Sequence, residues 1–289
     1  MNGILLIDKP VGWTSSDVVA KLRGVLHERR IGHSGTLDPM ATGLLVVFVG
    51  RATRAVEFAE AQEKQYLAGL RLGLVTDTQD TTGKRIGGES REVTEEELSG
   101  VLAGFRGELL QIPPMYSAIK IGGKKLYEIA RRGGEVERKP RKITISELEL
   151  LGREGEDYSL RVTCSKGTYI RTLCHDIGQT LGCGGCMSSL RRTRAGIYSL
   201  SDAHSLIDVQ AAAEQGAAET LLLSIDSLFA DHPVLRVGER EEARIRNGNS
   251  IPTAVPDGVY RVYGPQGDFL ALDKVEGREM KTIKSFFEV

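Results

Sequence analysis

One carboxylate stands at the centre of a glycine-rich stretch near the amino terminus. Residues 32–43 read GHSGTLDPMATG, and Asp38 directly precedes Pro39. Proline restricts the residue before it to extended backbone, and the flanking glycines allow a loop to approach another chain closely. The pattern therefore presents one rigid carboxylate that could act as a nucleophile, although an ordinary Asp-Pro turn has the same spacing. No Gly-Lys-Ser/Thr ending follows the glycines, which excludes a phosphate-binding P-loop.

This stretch resembles the catalytic loop of the bacterial tRNA pseudouridine-55 synthases, in which the aspartate of the G-T-L-D-P motif is catalytic. Other segments resemble the same family in the same order: DKPVGWTSSDVV, KQYLAGLRLG with TDTQDTTG, PPMYSAIKIGGKKLYEIAR, CSKGTYIRTL and LRRTRAG. The resemblance implies that one uridine in the T-loop of tRNA, position 55, is isomerised to pseudouridine. The N-glycosidic bond breaks and C1′ rejoins at C5, with no cofactor. The target nucleotide must be flipped out of its stack to be reached.

The resemblance assigns chemistry to three residues. Asp38 is the catalytic carboxylate, and an aspartate is ionised at neutral pH without assistance. Arg171 pairs with Asp38 through its forked guanidinium. Tyr66 stacks on the flipped uracil and assists removal of the C5 proton. From their patterns alone, Tyr66 could equally pack in a core and Arg171 could lie across a surface. Whether Asp38 attacks C1′, adds to the base or abstracts a sugar proton is left open.

Other positions match residues that contact the RNA. By the resemblance, His33 inserts into the T-loop, and Tyr169 and Leu190 contact the target base. Lys9 and Pro10 belong to a motif that supports the catalytic loop, and we interpret both as structural.

The net charge conceals a basic segment. The whole chain has 38 Lys+Arg against 39 Asp+Glu, which as a sum argues mildly against an anionic partner. Residues 120–142, however, contain nine basic residues and three glutamates, a net charge of +6. Unbalanced like charges repel one another and persist where phosphates neutralise them. We therefore predict that this segment binds tRNA through Lys124, Lys125, Arg131 and Arg132, and that Arg191, Arg192 and Arg194 form a second basic cluster.

The residue patterns predict the elements that carry these side chains. Thr14 and Asp17 fit a capping box before a helix, and Leu44 to Val49 suit a strand buried on both faces. Alternation predicts further strands from Tyr66 to Leu72 and from Tyr158 to Cys164. Helices are predicted after Thr94, from Thr168, and in the alanine-rich stretch from Gln210 to Leu223. From Asp231 onward the pattern predicts only short strands, at 259–262, 269–272 and 283–289.

Strands and helices are thus mixed, as in α+β or α/β proteins. The resemblance narrows this to an α+β pseudouridine-synthase catalytic domain with a mixed, largely antiparallel sheet at residues 1–230. A small β-rich domain of the PUA type, which binds RNA, is expected at residues 231–289.

Cysteine usage and the amino terminus bear on compartment. Four cysteines do not form a disulfide scaffold, and the first ten residues lack the basic region of a signal peptide. We therefore expect a cytoplasmic location without a membrane association. Cys183 and Cys186 form a CxxC pair, but no second pair accompanies it, so no metal is expected.

Several alternatives follow from the same residues. The chain could be a non-catalytic tRNA-binding or chaperone protein, although intact Asp38, Tyr66 and Arg171 argue against that. It could require a guide RNA and partner proteins, as archaeal and eukaryotic relatives do. An aspartate-dependent glycosidase would need a second carboxylate that the loop does not supply. We favour a stand-alone monomer that acts on the T-arm of tRNA.

Overall fold

The computed structural model describes residues 1–288. Strands in this part of the chain are β1 (Gly3–Lys9), β2 (Ile31–His33), β3 (Thr42–Val49), β4 (Lys64–Leu72), β5 (Val75–Thr76), β6 (Arg85–Gly87), β7 (Gly107–Gln111), β8 (Lys120–Ile121), β9 (Lys124–Lys125), β10 (Arg141–Glu154), β11 (Asp157–Cys164), β12 (Gly185–Ala195), β13 (Tyr198–Ser199), β14 (Val234–Arg236), β15 (Ile251–Pro252), β16 (Gly258–Tyr263), β17 (Phe269–Glu276) and β18 (Glu279–Ser285).

The helices are α1 (Ser15–Val25), α2 (Val56–Glu60), α3 (Glu95–Ala103), α4 (Leu126–Ala130), α5 (Ile170–Thr180), α6 (Leu206–Glu214) and α7 (Glu239–Arg246). Short 3-10 segments lie at Gly50–Ala55, Leu200–Asp202, Ala218–Leu221 and Ile225–Phe229. Among the described helices, none has the length and apolar character needed to cross a membrane.

A nine-stranded sheet organises the larger part of the molecule. Its main path runs β1-β3-β12-β4-β11-β10-β7, with β2 paired to β3 and β13 paired to β12. The β3–β12 pair is parallel and the other pairs are antiparallel. The predicted fold class, α+β with a mixed and largely antiparallel sheet, is confirmed.

Strand β3 is buried on both of its faces, as its continuous apolar sequence predicts. Successive side chains of a strand point to opposite faces, so Leu44 and Val46 pack in one core cluster and Leu45 and Val47 in another. Because β3 is buried on both faces, it is a rigid anchor for the loop that precedes it.

Helix α1 begins where the capping box predicts. The Thr14 hydroxyl accepts the N–H of Asp17 at 3.0 Å, and Asp17 Oδ2 accepts the N–H of Thr14 at 2.8 Å. Helix α5 begins at Ile170, two residues after the predicted start, with Tyr169 as its N-cap. Its apolar stripe packs on the sheet, and the helix ends before the GCGG segment as expected.

A second sheet of five strands follows, in the order β14-β16-β17-β18-β15. Phenylalanines hold it against the larger part of the molecule: the Phe229 ring lies 5.7 Å from the Phe286 ring and 6.1 Å from the Phe269 ring. Lys284 Nζ adds an ion pair with Glu57 Oε1 at 2.7 Å. The carboxyl-terminal part is therefore β-rich as predicted. The boundary between residues 230 and 231 and the PUA type stay predictions.

Three predictions about the carboxyl-terminal third were wrong. Residues after 230 include helix α7, whose first turn carries acidic residues and whose last turn carries arginines, an arrangement that favours the helix dipole. The last strand covers Glu279–Ser285 instead of 283–289, and Val289 lies outside the described residues. The alanine-rich helix ends at Glu214, because Gly216 adopts a left-handed backbone with φ of 69°.

Candidate active site

The loop between β2 and β3 carries Asp38, and the amino-terminal segment holds it in place. The Leu37 N–H donates to the Ser15 hydroxyl at 2.8 Å, and the Gly12 N–H donates to the Pro39 carbonyl at 2.8 Å. The Asp38 carbonyl accepts the N–H of Ala41 at 3.0 Å, which closes the turn around proline. The loop is therefore anchored on both sides of Asp38 by backbone hydrogen bonds.

Lys9 is a buried clamp for this loop, in agreement with a structural role. Its Nζ donates to the carbonyls of Trp13 at 2.6 Å, Pro10 at 3.0 Å and Pro39 at 3.4 Å. Burial lowers the pKa of Lys9 to about 8, and the nearby Asp38 carboxylate opposes that shift.

The approach of β3 to β12 depends on Gly43. Gly43 has φ of 95°, and a Cβ there would lie 2.3 Å from the Arg192 carbonyl oxygen. A side chain at this position would push the two strands apart, so glycine permits the parallel pairing at the end of the catalytic loop.

Asp38 and Arg171 form a two-pronged ion pair. Arg171 Nε lies 2.9 Å from Asp38 Oδ2, and Nη2 donates to Asp38 Oδ1 at 3.3 Å. The arginine side chain is 6% exposed, whereas that of Asp38 is 36% exposed. The guanidinium also donates to the carbonyls of Thr78 at 2.9 Å and Tyr116 at 2.8 Å. The pairing implied by the resemblance is thus present: the buried guanidinium orients the carboxylate, and the carboxylate remains partly open to solvent.

A second carboxylate, which the sequence analysis did not single out, lies behind this pair. Asp80 Oδ2 is 3.8 Å from Arg171 Nε, and Asp80 is buried. Its Oδ1 accepts the hydroxyl of Thr78 at 2.8 Å and the N–H of Thr82 at 3.0 Å. The TDTQDTTG segment that carries Asp80 was part of the resemblance, and its repeated Asp and Thr residues were the available signal.

Tyr66 lies on β4, opposite Arg192 of β12 and Val162 of β11. Burial raises the pKa of its hydroxyl, and the positive charge of Arg192 opposes this shift. The side chain packs against the main core while remaining partly exposed. Packing and substrate contact are therefore compatible at this position.

Tyr169 and Leu190 are the two other residues expected to contact the target base. Tyr169 is fixed through its backbone, because its N–H donates to Gln111 Oε1 at 2.8 Å and its carbonyl accepts from Gln111 Nε2 at 3.1 Å. Burial raises the pKa of the Tyr169 hydroxyl. Leu190 lies on β12 next to Ala68 of β4 and is 8% exposed.

His33 ends β2 at the start of the catalytic loop. Burial lowers the pKa of its imidazole, and the Arg192 charge acts in the same direction. The ring is therefore neutral at neutral pH. Its Nδ1 is buried without a hydrogen-bond partner within residues 1–288.

The predicted tRNA-binding residues lie on a small projection formed by β8, β9 and α4. Lys124, Arg131 and Arg132 are exposed and Lys125 is half-buried. The charges of Lys125 and Arg131 lie over the Tyr127 ring, at 5.3 and 5.4 Å. None of the four makes an ion pair with a carboxylate in the part of the chain that the structure describes. The Tyr116 carbonyl that Arg171 binds lies just before this projection, so one chain segment connects the two features.

All four cysteines are buried and unpaired. Burial raises the pKa of Cys186 to about 11, so this thiol is protonated at neutral pH. Residues 1–288 contain no group of three His, Cys, Asp or Glu side chains arranged to hold a metal ion.

Family models match nearly the whole chain. The TruB family pseudouridylate synthase N-terminal domain matches residues 23–170, the tRNA pseudouridylate synthase B C-terminal domain matches residues 171–230, and tRNA pseudouridine synthase II, C terminal, matches residues 232–287.

Individual relatives agree with these matches. The tRNA pseudouridine synthase B of Syntrophomonas wolfei is 44% identical over 290 residues, which cover 98% of this chain and 96% of the relative. The protein of the same name from Clostridium kluyveri is 40% identical over 295 residues, covering 99% and 100%. A chain in the solved structure of an H/ACA RNP bound to a substrate RNA containing 2′-deoxyuridine is 25% identical with a TM-score of 0.75, covering 99% of this chain and 85% of that one.

Proposed function

The chain belongs to the TruB family of pseudouridylate synthases and isomerises uridine in tRNA to pseudouridine, and from this premise we propose that Asp38 is the residue on which the reaction depends. The observation that carries this assignment is the 2.9 Å ion pair between Asp38 and the buried Arg171. A carboxylate held by a fork of donors has a fixed direction, so it can meet the sugar or the base in one orientation.

We propose uridine 55 in the T-arm as the target. The catalytic loop supports this, since its GHSGTLDPMATG sequence resembles the loop of enzymes with that specificity. His33, at the start of the loop, is neutral and lacks a partner for Nδ1, so its imidazole can enter the T-loop without carrying a charge into stacked bases.

The target base must leave its stack, which opposes catalysis by a few kcal/mol. Tyr66 and Leu190 provide an apolar surface on which a flipped uracil can lie, and Tyr169 flanks Arg171 at the start of α5. The carboxylate of Asp38 then acts on the nucleotide, the glycosidic nitrogen separates from C1′, and C5 takes its place. Asp80 supports this arrangement from behind by adding negative charge on the far side of the Arg171 guanidinium.

The basic projection is proposed to bind the tRNA backbone. Its four unpaired charges, Lys124, Lys125, Arg131 and Arg132, can each neutralise a phosphate and release counterions. The contact of Arg171 with the Tyr116 carbonyl connects this binding surface to the active site.

We propose that the protein acts as a stand-alone monomer in the cytoplasm. Coverage supports a stand-alone enzyme, because the chain spans 96% and 100% of two relatives named tRNA pseudouridine synthase B. The likeness to an H/ACA RNP component is lower in identity, at 25%. The free cysteines fit a reducing compartment.

The test uses purified protein, unmodified tRNA and no added RNA or protein. Site-resolved detection should find pseudouridine at position 55 with the wild-type protein and none with Asp38→Ala. A tRNA in which that uridine is replaced by cytidine is the substrate control and should gain no pseudouridine elsewhere in the T-arm. Absence of product with the wild-type protein, or product that needs a guide RNA, would contradict the proposal.

A further inference from the structure

Arg192 is a charged residue that the active-site assignment leaves unused. Its sequence neighbours predict a basic cluster with Arg191 and Arg194, but the residue is 1% exposed, so it cannot meet a phosphate at the surface. No carboxylate lies within 4 Å of its guanidinium in the described residues. A buried charge without a counter-ion is unfavourable unless hydrogen bonds compensate for its desolvation, and it is retained where a function requires it.

The hydrogen bonds of Arg192 lead to the catalytic loop. Its Nε donates to the Leu44 carbonyl at 2.6 Å, and Nη2 donates to the Gly35 carbonyl at 3.1 Å. Gly35 precedes Asp38 by three residues and Leu44 follows it by six. One guanidinium therefore ties together both ends of the loop that carries the catalytic carboxylate.

Arg192 is also the nearest charge to Tyr66 on the neighbouring strand. The two residues are direct partners across β12 and β4, where side chains lie on the same face about 5 Å apart. The other titratable groups that face Tyr66 are Cys164 of β11 and Asp38 of the loop. Both raise the pKa of the Tyr66 hydroxyl, as burial does, whereas Arg192 lowers it.

We propose that Arg192 is a positioning residue: its unpaired charge keeps Tyr66 ready to take the proton that leaves C5, and its hydrogen bonds to the catalytic loop hold that charge in place. The inference rests on the proposed function, because it concerns the second half of the same isomerisation.

The proton and electron balance is complete within the reaction. When C5 has bonded to C1′, the C5–H bond breaks and its electron pair restores the double bond of the uracil ring. The Tyr66 hydroxyl oxygen takes this proton and releases its own proton through solvent to N1, which kept the electron pair of the broken glycosidic bond. The positive charge of Arg192 stabilises the Tyr66 oxygen as its proton leaves, and so favours this transfer.

The experiment measures pseudouridine formation in single turnover, with tRNA that carries protium or deuterium at C5. Arg192→Gln removes the charge, and Tyr66→Phe removes the hydroxyl. Arg71→Gln is the matched control, because Arg71 lies on the same strand as Tyr66, about 17 Å away, in an ion pair with Asp157. Melting temperature and tRNA affinity are measured for each variant.

For Arg192→Gln we expect a loss of roughly 100-fold in rate, a C5 isotope effect larger than that of the wild type, and tRNA affinity within about threefold. In the Tyr66→Phe background, the same substitution should reduce the rate by less than about threefold, since the two residues act together. Arg71→Gln should match the wild type in rate and isotope effect.

The inference is overturned if the losses from Arg192→Gln and Tyr66→Phe multiply, or if the isotope effect does not rise. Should Arg192→Gln fail to fold, Arg192→Lys takes its place, with an expected loss of about tenfold that must likewise fail to multiply with Tyr66→Phe. A wild-type protein that forms no pseudouridine would instead refute the proposed function, so the two failures are distinguishable.

Discussion

Replacing Arg171 with lysine tests whether the forked contact with Asp38 matters, as opposed to positive charge alone. Arginine makes two contacts with the carboxylate, at 2.9 and 3.3 Å, and lysine can keep one of them. A hydrogen bond to a charged group contributes about 1.5–3 kcal/mol. Because the Asp38 side chain is 36% exposed, solvent screens part of this, and the low end, about 1.5–2 kcal/mol, is the appropriate figure.

At about 1.4 kcal/mol per factor of ten, this loss corresponds to a rate roughly 10- to 30-fold below the wild type. The assay is single-turnover pseudouridine formation with saturating enzyme, so that a change in tRNA affinity does not enter. Arg161→Lys is the matched control, because Arg161 pairs with Glu149 on the surface of the same sheet. A rate for Arg171→Lys within threefold of the wild type would refute the reasoning, since one charge would then suffice.

Further predictions concern stability and binding. Burial raises the pKa of Asp273 to about 6, so the stability that its protonated form provides is lost as pH rises from about 4 through 6. Asp273→Asn, which cannot ionise, should raise the free energy of unfolding at pH 8 by roughly 2–3 kcal/mol and change it little at pH 4. Equal stability of the two proteins at pH 8 in denaturant titrations would contradict this. Lys9→Met removes the charged donor that the carbonyls of Pro10, Trp13 and Pro39 share, so the rate of pseudouridine formation and the melting temperature should both fall; an unchanged rate would show that the clamp is dispensable. Neutralising the four charges of the basic projection should weaken tRNA binding and reduce the slope of log affinity against log salt by about 3, and an unchanged slope would show that this surface does not meet phosphate. The four substitutions are to glutamine at Lys124, Lys125, Arg131 and Arg132.

The parts of the fold that depend on local sequence were predictable. The capping box at Thr14 and Asp17 determines where α1 begins, and the apolar run of β3 determines its burial, because both depend on a few neighbouring residues. Pairing of strands distant in sequence, such as β12 between β3 and β4, depends on tertiary packing, and the residue pattern alone did not contain it. The residue pattern after Asp231 did not predict α7, because the glycines and prolines from Pro256 onward are typical of turns between short strands, although the charge distribution of residues 239–246 favours a helix.

The candidate site shows the same division. Asp38 was found from its motif, and Arg171 from the resemblance, but the second carboxylate at Asp80 emerged only when the fold placed it 3.8 Å from the guanidinium. Arg192 shows why charge runs are ambiguous. Arg191 and Arg192 point to opposite faces of β12, and an irregularity in strand pairing between Arg192 and Arg194 breaks the alternation, so Arg192 is buried while Arg194 is exposed. The sequence shows how many charges a segment carries, whereas strand pairing and packing determine which of them are exposed to RNA.

The central claim is that the Asp38 carboxylate is essential for the reaction, and Asp38→Asn tests it most directly. Asparagine has nearly the same shape, so the loop and its hydrogen bonds should persist, while the negative charge opposite Arg171 is lost. The measurement is the amount of pseudouridine at position 55 of tRNA after prolonged incubation with purified variant whose fold and tRNA affinity match the wild type. We predict no pseudouridine above background. Pseudouridine formation at the wild-type level would contradict the assignment of Asp38.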